Sequence, residues 1–350
     1  MRANNQAQNK VTNKNLILKK IITSGGISRV ELARFAGLTK MTVTNIVNEL
    51  LAEGYITEKS GGNIHSVGRT PITLTAAKKK YIIGIYLNRD YVEVFVGDIC
   101  GKIFEIERTG FSSETQDSIT SKIISSADRF FEKYPEIYGF GISAIGPVDS
   151  KKGIILNPPN FFNIKNFDIA SRLKDRYHLP VYMDNDMNTS AVAEKYWGYA
   201  KDESDYIYMG ASNGIGAGII LDGRLSGRIL GEIGHVSIDV NGPLCHCGNR
   251  GCLELYSSIP NGFSGEGAEE ICKYLAYGAT TLINLFNPQA IYFGHRIPSL
   301  GEDAAEKIGK YMENSYLTRT LSKPKLSLSK FGKKSSIYGA IAIFIERHNF

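Results

Sequence analysis

"GEIGHVSIDVNGPLCHCGNRGCLE", residues 231–254, holds three cysteines, two histidines, two glutamates and five glycines in twenty-four positions. A packed apolar core has no need of that mixture. Cys245-x-Cys247-x4-Cys252 presents three thiolates from one short turn, and Gly248 and Gly251 permit the turn to be sharp. His235, ten residues before Cys245, supplies a fourth donor. Three sulfurs and one imidazole nitrogen form a tetrahedral Zn2+ shell with no vacant position, so the predicted ion is structural and folds the loop. His246, between the first two cysteines, is expected to point elsewhere. A redox role explains this pattern poorly, and five cysteines are an odd count for a disulfide framework. The same ion would draw Glu232 and Glu254 together, since they lie three residues before His235 and two after Cys252.

Outside this stretch the chain reads as an ordinary globular protein of two or three folding units. It has 350 residues, 43% hydrophobic and 22% charged. No apolar run approaches the roughly 18 residues of a membrane span, and the polar, asparagine-rich start has no apolar signal core. The expectation is a cytoplasmic protein without membrane contact. Charge is uneven: residues 1–80 contain thirteen Lys/Arg against four Asp/Glu, whereas the rest contains twenty-eight against thirty-one. A basic front on a slightly acidic body points to a polyanionic partner at the N-terminal end.

The front reads as a winged helix-turn-helix over residues 1–80. "NKNLILKKIITSGG" places Leu16, Ile17, Lys20 and Ile21 at helical spacing and stops at Gly25-Gly26. Ser28, with Glu31 three residues on, forms a capping box for "RVELARFAG". Thr39 caps "KMTVTNIVNELLAEG", whose Val43, Ile46, Val47 and Leu50 share one face. Two short helices across a glycine-containing turn are the helix-turn-helix signature. Candidate DNA contacts are Ser28 and Arg29, then Thr39, Lys40, Thr42, Thr44 and Asn45. "YITEKSGGNIHSVGRTPITLT" follows as two strands around a wing tip carrying Arg69.

From Tyr81 the texture becomes α/β. "YIIGIYLNRDYVEVFVGDICGKIFEIERTG" reads as three antiparallel strands, followed by a helix near residues 115–133 and a buried strand "IYGFGISAIG". A similar meander begins at "DYIYMGASNGIGAGIILDGRL", so two related lobes with a cleft between them are expected. The divisions are 81–195 for the first lobe and 196–335 for the second. A C-terminal helix at about 336–350 returns to the first lobe.

"GISAIGPVD", "MDNDMNTSAVAE", "GIGAGIILDG", "GEIGH" and "CHCGNRGCLE" occur in one order. In that order the chain resembles the ROK family (repressor, open reading frame, kinase), and its repressor branch in the winged front. The resemblance covers nearly the whole chain. It implies a two-lobed, actin-like body of ribonuclease-H type. It also implies that Asn185, Asp186, Glu232, His235 and Glu254 contact a sugar's hydroxyls, with Asn160 as a further contact. His235 would then serve both zinc and sugar.

Asp186 occupies the position of the catalytic base in the kinases of that family. Three departures speak against phosphoryl transfer. Where those kinases carry Asp-x-Gly-Gly-Thr, this chain has Tyr86 for the aspartate and Asn88-Arg89-Asp90 for the rest. Asn213 replaces a threonine, and Gly294-His295 replaces a Gly-Gly pair. A fourth departure is the short bridge "IPNGFSGEGAEE" in place of a longer helical segment. The resulting expectation is a sugar-responsive repressor of carbohydrate metabolism without catalytic activity. It would bind operator DNA as a homodimer or tetramer and take xylose, a hexose or an amino sugar in the cleft. A sugar kinase with an appended DNA-binding domain is the alternative.

Overall fold

The computed structural model describes residues 6–60, 72–260, 263–313 and 323–350. The chain opens with three helices, α1 (Gln6–Ser24), α2 (Arg29–Ala36) and α3 (Lys40–Ala52). The Ser28 capping box forms, the Ser28 hydroxyl accepting from the Glu31 amide while the Glu31 carboxylate accepts from the Ser28 amide at 2.9 Å. Gly37, at φ 64°, ends α2, and Thr39 caps α3. Val43, Ile46, Val47 and Leu50 are buried together as their spacing requires. On α1 the buried face is Ile17, Leu18, Ile21 and Ile22, whereas Leu16 is 39% exposed. The face is therefore rotated from the expected one, α1 packing against β2 and α6 as well as α2 and α3. Strands β1 (Ile56–Ser60) and β2 (Ile72–Ala76) pair antiparallel as the stem of the wing. Its tip, with Arg69, lies outside the described residues.

The body repeats one design twice. In the first lobe β3 (Tyr81–Leu87), β4 (Tyr91–Asp98) and β5 (Ile103–Gly110) form an antiparallel meander, and α4 (Gln116–Lys133) leads to β6 (Ile137–Ala144). Two short strands, β7 (Val148–Asp149) and β8 (Ile154–Ile155), and helix α5 (Ile169–Tyr177) precede β9 (Val181–Asn185), which runs directly into α6 (Asp186–Trp197). In the second lobe β10 (Tyr206–Ala211), β11 (Ile215–Leu221) and β12 (Arg224–Leu225) form the matching meander. After α7 (Glu254–Ser257) and α8 (Ala268–Phe286) come β13 (Ala290–His295), α9 (Ala304–Met312), β14 (Lys325–Leu328) and α10 (Ser335–Arg347).

The sheet orders are β5-β4-β3-β6-β9 and β12-β11-β10-β13-β14. In both, the first strand of the meander pairs parallel with the fourth strand, which pairs parallel with the fifth. The expected two-lobed sugar-kinase body behind an N-terminal helical region is thus the observed architecture.

Helices α6 and α10 lie between the two sheets. The second-lobe sheet covers α6, so that a methyl group on Gly218 would fall 2.3 Å from the Met187 carbonyl oxygen. The first-lobe sheet covers α10, where a methyl on Gly141 would fall 1.8 Å from the Ala340 carbonyl oxygen. A helix enclosed on all sides has to be apolar all round, and Ile337, Ile341, Ile343, Phe344 and Ile345 are all buried. One continuous apolar core runs from α1–α3 through α6 and α10 to the second sheet. Among the described residues, no helix is long and apolar enough to cross a membrane.

Candidate functional site

The loop that follows β12 is stapled to itself. Ile238 donates to the Gly251 carbonyl at 2.9 Å and Leu253 to the Val236 carbonyl at 3.0 Å, which brings the segment after His235 beside the one containing Cys252. Gly251 makes the crossing possible: it sits at φ 62°, and a methyl group there would lie 1.7 Å from the Asp239 carbonyl oxygen. The turn closes through the Cys245 amide on the Asn249 carbonyl at 2.7 Å.

As a result the donor atoms of His235, Cys245, Cys247 and Cys252 all lie within 4.8 Å of one another. Cys247 Sγ and Cys252 Sγ are 3.7 Å apart, and Cys245 Sγ is 3.7 Å from His235 Nδ1. A tetrahedral site with Zn–S bonds of about 2.3 Å has neighbouring sulfurs about 3.8 Å apart. The cluster therefore fits such an ion in donor chemistry and in edge length. Burial pushes the Cys245 and Cys252 thiols up, whereas the Asn249 amide on the Cys247 sulfur holds that thiol below its ordinary value.

His246 does not point away. Its Nδ1 lies 3.2 Å from Glu254 Oε1 and 3.7 Å from Cys245 Sγ, because the tight Cys245–Gly248 turn keeps its ring beside α7. His235, His246 and Glu254 make a second convergent set. Three thiolates make the first set the better fit to zinc.

Beside the loop, between the lobes, is a cavity of about 490 Å³, within the range for small-ligand sites. Asn185, Asp186, Glu232, His235 and Glu254 all line it. Asn185 ends β9 and caps α6, its Oδ1 accepting from the Met187 amide at 2.8 Å. Asp186 opens α6, and Glu254 opens α7 with its Oε1 3.6 Å from His235 Nδ1. Burial pushes the Glu232 carboxyl above the usual range; His235 opposes this, and Asp186 and Glu254 add to it. Hydrogen-bond acceptors on several elements, facing one cavity, suit a ligand with several hydroxyls. Asn160 is not part of the lining; Asn157 and Pro159 are.

The residues that the resemblance sets against the kinases' phosphate loops, Tyr86 and His295, are buried side chains. Tyr86 is buried and its hydroxyl accepts from Asn88 Nδ2 at 2.7 Å. His295 Nε2 lies 3.7 Å from Asp186 Oδ2 and 3.2 Å from the Ser336 hydroxyl, while its Nδ1 meets the Tyr208 hydroxyl at 2.9 Å.

In the N-terminal domain the candidate DNA contacts divide. Lys40 and Asn45 are exposed, and no hydrogen bond or ion pair engages their side chains among the described residues. Arg29 is ion-paired with Glu58 of β1 at 2.6 Å, and the Ser28 hydroxyl is turned to Glu31 at 2.7 Å. The Thr39 and Thr42 hydroxyls bond each other at 2.9 Å, and Thr44 donates to the Lys40 carbonyl at 2.8 Å. Met41, 76% exposed on the same face, was not singled out by its sequence context.

The ROK family model matches residues 82–263, more than half of the chain and the whole of the cleft apart from its C-terminal wall. The chain belongs to the ROK family. The MarR family model matches residues 13–60, the helices and first wing strand of this ROK protein. A xylose repressor of Caldicellulosiruptor bescii is 30% identical over 96% of both chains. That alignment runs over 384 positions, so the relative carries residues that this 350-residue chain lacks.

Among solved structures, a ROK family transcriptional regulator described as a homologue of the Escherichia coli Mlc protein has a TM-score of 0.79. It is 26% identical and covers 95% of each chain. A ROK family glucokinase from Streptomyces griseus, in complex with glucose and AMPPNP, has a TM-score of 0.65 at 23% identity. It covers 75% of this chain and 98% of its own. The family thus includes both repressors and kinases.

Proposed function

We propose that this ROK protein is a transcriptional repressor of carbohydrate metabolism whose affinity for operator DNA is set by a monosaccharide in the interlobe cleft. Residues 1–80 form the DNA-binding domain, 81–195 the first lobe with the returning C-terminal helix, and 196–335 the second. The carrying observation is the convergence of Asn185, Asp186, Glu232, His235 and Glu254 on one cavity in a chain whose α3 leaves Lys40 and Asn45 exposed. The ligand is xylose, a hexose or an amino sugar. The similar xylose repressor supports this reading, as does the glucokinase solved with glucose.

A structural Zn2+ held by His235, Cys245, Cys247 and Cys252 would fix the loop that presents Glu232 and Glu254. His235 would offer its other ring nitrogen to the sugar. Lys40 and Asn45 would meet the operator directly, with Arg69 from the wing. The hydroxyls of Ser28, Thr39, Thr42 and Thr44 would chiefly fix the helix ends that present them. A homodimer supplies two such domains for two half-sites.

The protein acts without catalysis: Asp186 remains, but Tyr86 and His295 fill the place where flexible glycine loops would approach phosphate. Ligand binding changes DNA affinity only to the extent that the sugar prefers one arrangement of the lobes. We assign derepression to that change. The test is a thermal-shift screen of monosaccharides on the full chain, with a mobility-shift assay in each sugar that raises the melting temperature. Sugar-dependent release of DNA supports the reading; sugar-dependent ADP production from Mg-ATP would replace it with a kinase.

A further inference from the structure

Asn15 is a buried amide beside the apolar face of α1, and both of its ends are engaged by residues that follow α10. Its Nδ2 donates to Asn349 Oδ1 at 3.0 Å, and its Oδ1 accepts from the Phe350 amide at 2.8 Å. The Phe350 ring meets Tyr55, just beyond α3, edge-on at 5.2 Å, and also meets His348 at 4.7 Å. His348 in turn stacks on Phe344 of α10 at 4.9 Å. Lys19 of α1 donates to the Glu346 carbonyl, while the Glu346 carboxylate pairs with Lys195 of α6 at 3.2 Å and accepts from the Tyr196 hydroxyl at 2.8 Å. A second tie comes from Lys80, between β2 and β3. Its Nζ lies 4.9 Å from the ring centroids of both Tyr55 and Tyr138 and donates to the Glu53 carbonyl at 3.0 Å.

Apolar contacts alone tolerate sliding, but a buried amide loses stability when either end is left unpaired, so the two Asn15 bonds select one docked arrangement. That arrangement leaves Lys40 and Asn45 of α3 exposed. The same segment also reaches the cleft. Arg347, next to Glu346, binds the Asp184 carboxylate, whose Oδ1 accepts from the Asn185 amide at 2.8 Å and from Asn188 Nδ2 at 2.9 Å. Asn185 and Asp186 line the cavity. We propose that residues 346–350 are a latch that holds the DNA-binding domain in its DNA-competent orientation, and that filling the cleft releases it through Asp184 and Arg347. This rests on the reading of the cleft as the effector site of a repressor and names how that site is coupled to DNA. A ligand that bridges Asn185 to Glu232 and Glu254 of the second lobe binds best where these groups approach, and the end of β9 carries Arg347 with it. The ligand's bonds and the latch's bonds then favour different arrangements, which is the differential affinity that coupling requires.

The test measures DNA affinity of the full chain by anisotropy, on a duplex enriched by the parent protein from a random pool, with glucose, xylose and N-acetylglucosamine as cleft probes. Phe350→Ala and Asn15→Ala loosen the latch from its two sides, and neither residue lines the cavity. In the parent, a probe that calorimetry shows to bind should weaken DNA affinity by about fivefold or more. In each variant that factor should fall below about twofold, while the probe's own affinity stays within about twofold of the parent's. Sugar-free DNA affinity of the variants should drop toward the value that the parent shows with its cleft filled. Phe350→Tyr keeps the ring and should respond as the parent does. A loss of folding alone would weaken the probe's binding together with that of DNA, and that result overturns the latch. A parent-like response in both alanine variants overturns it too and leaves the repressor reading standing, as does a sugar-free DNA affinity unchanged in both. If no probe binds the parent, or none alters its DNA affinity, the repressor reading fails and the latch falls with it.

Discussion

Asp186 Oδ2 and His295 Nε2 face each other at 3.7 Å, one at the start of α6 and the other at the end of β13. The imidazole is buried and fixed on its other side by the Tyr208 hydroxyl. The carboxylate that the resemblance sets at a kinase base is therefore beside a ring, where phosphoryl transfer needs open backbone and a metal-bound triphosphate. With glucose, xylose or N-acetylglucosamine and Mg-ATP, the protein should release no ADP above a sugar-free blank in a coupled assay.

Cys247→Ser removes one of the four proposed ligands, and the Cys247 sulfur is 3.7 Å from that of Cys252. Elemental analysis should show about one zinc per chain in the parent and a large loss in the variant. The variant's melting temperature should fall by ~5 °C or more. Unchanged metal content in Cys247→Ser would remove this residue from the set.

Glu254→Gln keeps the shape of the side chain and removes its charge. Hydrogen bonds to a charged group contribute about 1.5–3 kcal/mol, so sugar affinity should fall by roughly 10- to 100-fold while zinc content is preserved. Calorimetry checks the first and elemental analysis the second.

Arg347 binds the Asp184 carboxylate and donates to the Met183 carbonyl at 2.6 Å, fixing the strand that delivers Asn185 and Asp186. The Asp184 side chain is only 5% exposed. Arg347→Met would leave that carboxylate without its cation and should lower stability by roughly 3 kcal/mol or more in denaturant titration. Adding Asp184→Asn should recover part of the loss, because the orphaned charge is then gone.

How much of this was legible in the sequence depends on distance along the chain. The four donors of the proposed zinc site sit in one short segment, and glycines mark its turns, so spacing alone brings their convergence within reach of a sequence reading. The capping box at Ser28 and the face of α3 were readable for the same local reason. The rotation of α1 toward Leu18 was not, because it depends on where β2 and α6 as well as α2 and α3 lie. The placement of His246 beside Glu254 is not legible in the spacing, because it is set by the Cys245–Gly248 turn and by where α7 lies. Arg347 and Asp184 are far apart in sequence, as are Ser336, His295 and Asp186. Only the placing of α10 between the sheets makes them neighbours. The links from the C-terminus to α1 were equally hidden: Lys19 on the Glu346 carbonyl, and Asn15 with Asn349 at 3.0 Å.

Those links matter because Glu346 also pairs with Lys195 of α6 at 3.2 Å and accepts from the Tyr196 hydroxyl at 2.8 Å. The helix that begins with Asp186 is thereby joined to the helix that begins the DNA-binding domain. At the DNA end, Lys40→Ala should weaken binding evenly across sequences and reduce the salt slope by about one, as for a lost phosphate contact. Asn45→Ala should relax sequence preference by about 1–3 kcal/mol at one base pair, as for a lost base contact.

The most direct test of the whole account is fluorescence anisotropy with a DNA duplex enriched by the protein from a random pool, titrated with and without a sugar that calorimetry shows to bind the cleft. Saturating sugar should weaken DNA affinity by a factor between about 5 and 150. Glu254→Gln should abolish the change while leaving sugar-free DNA binding intact. An affinity for DNA that stays the same with the cleft filled would contradict it.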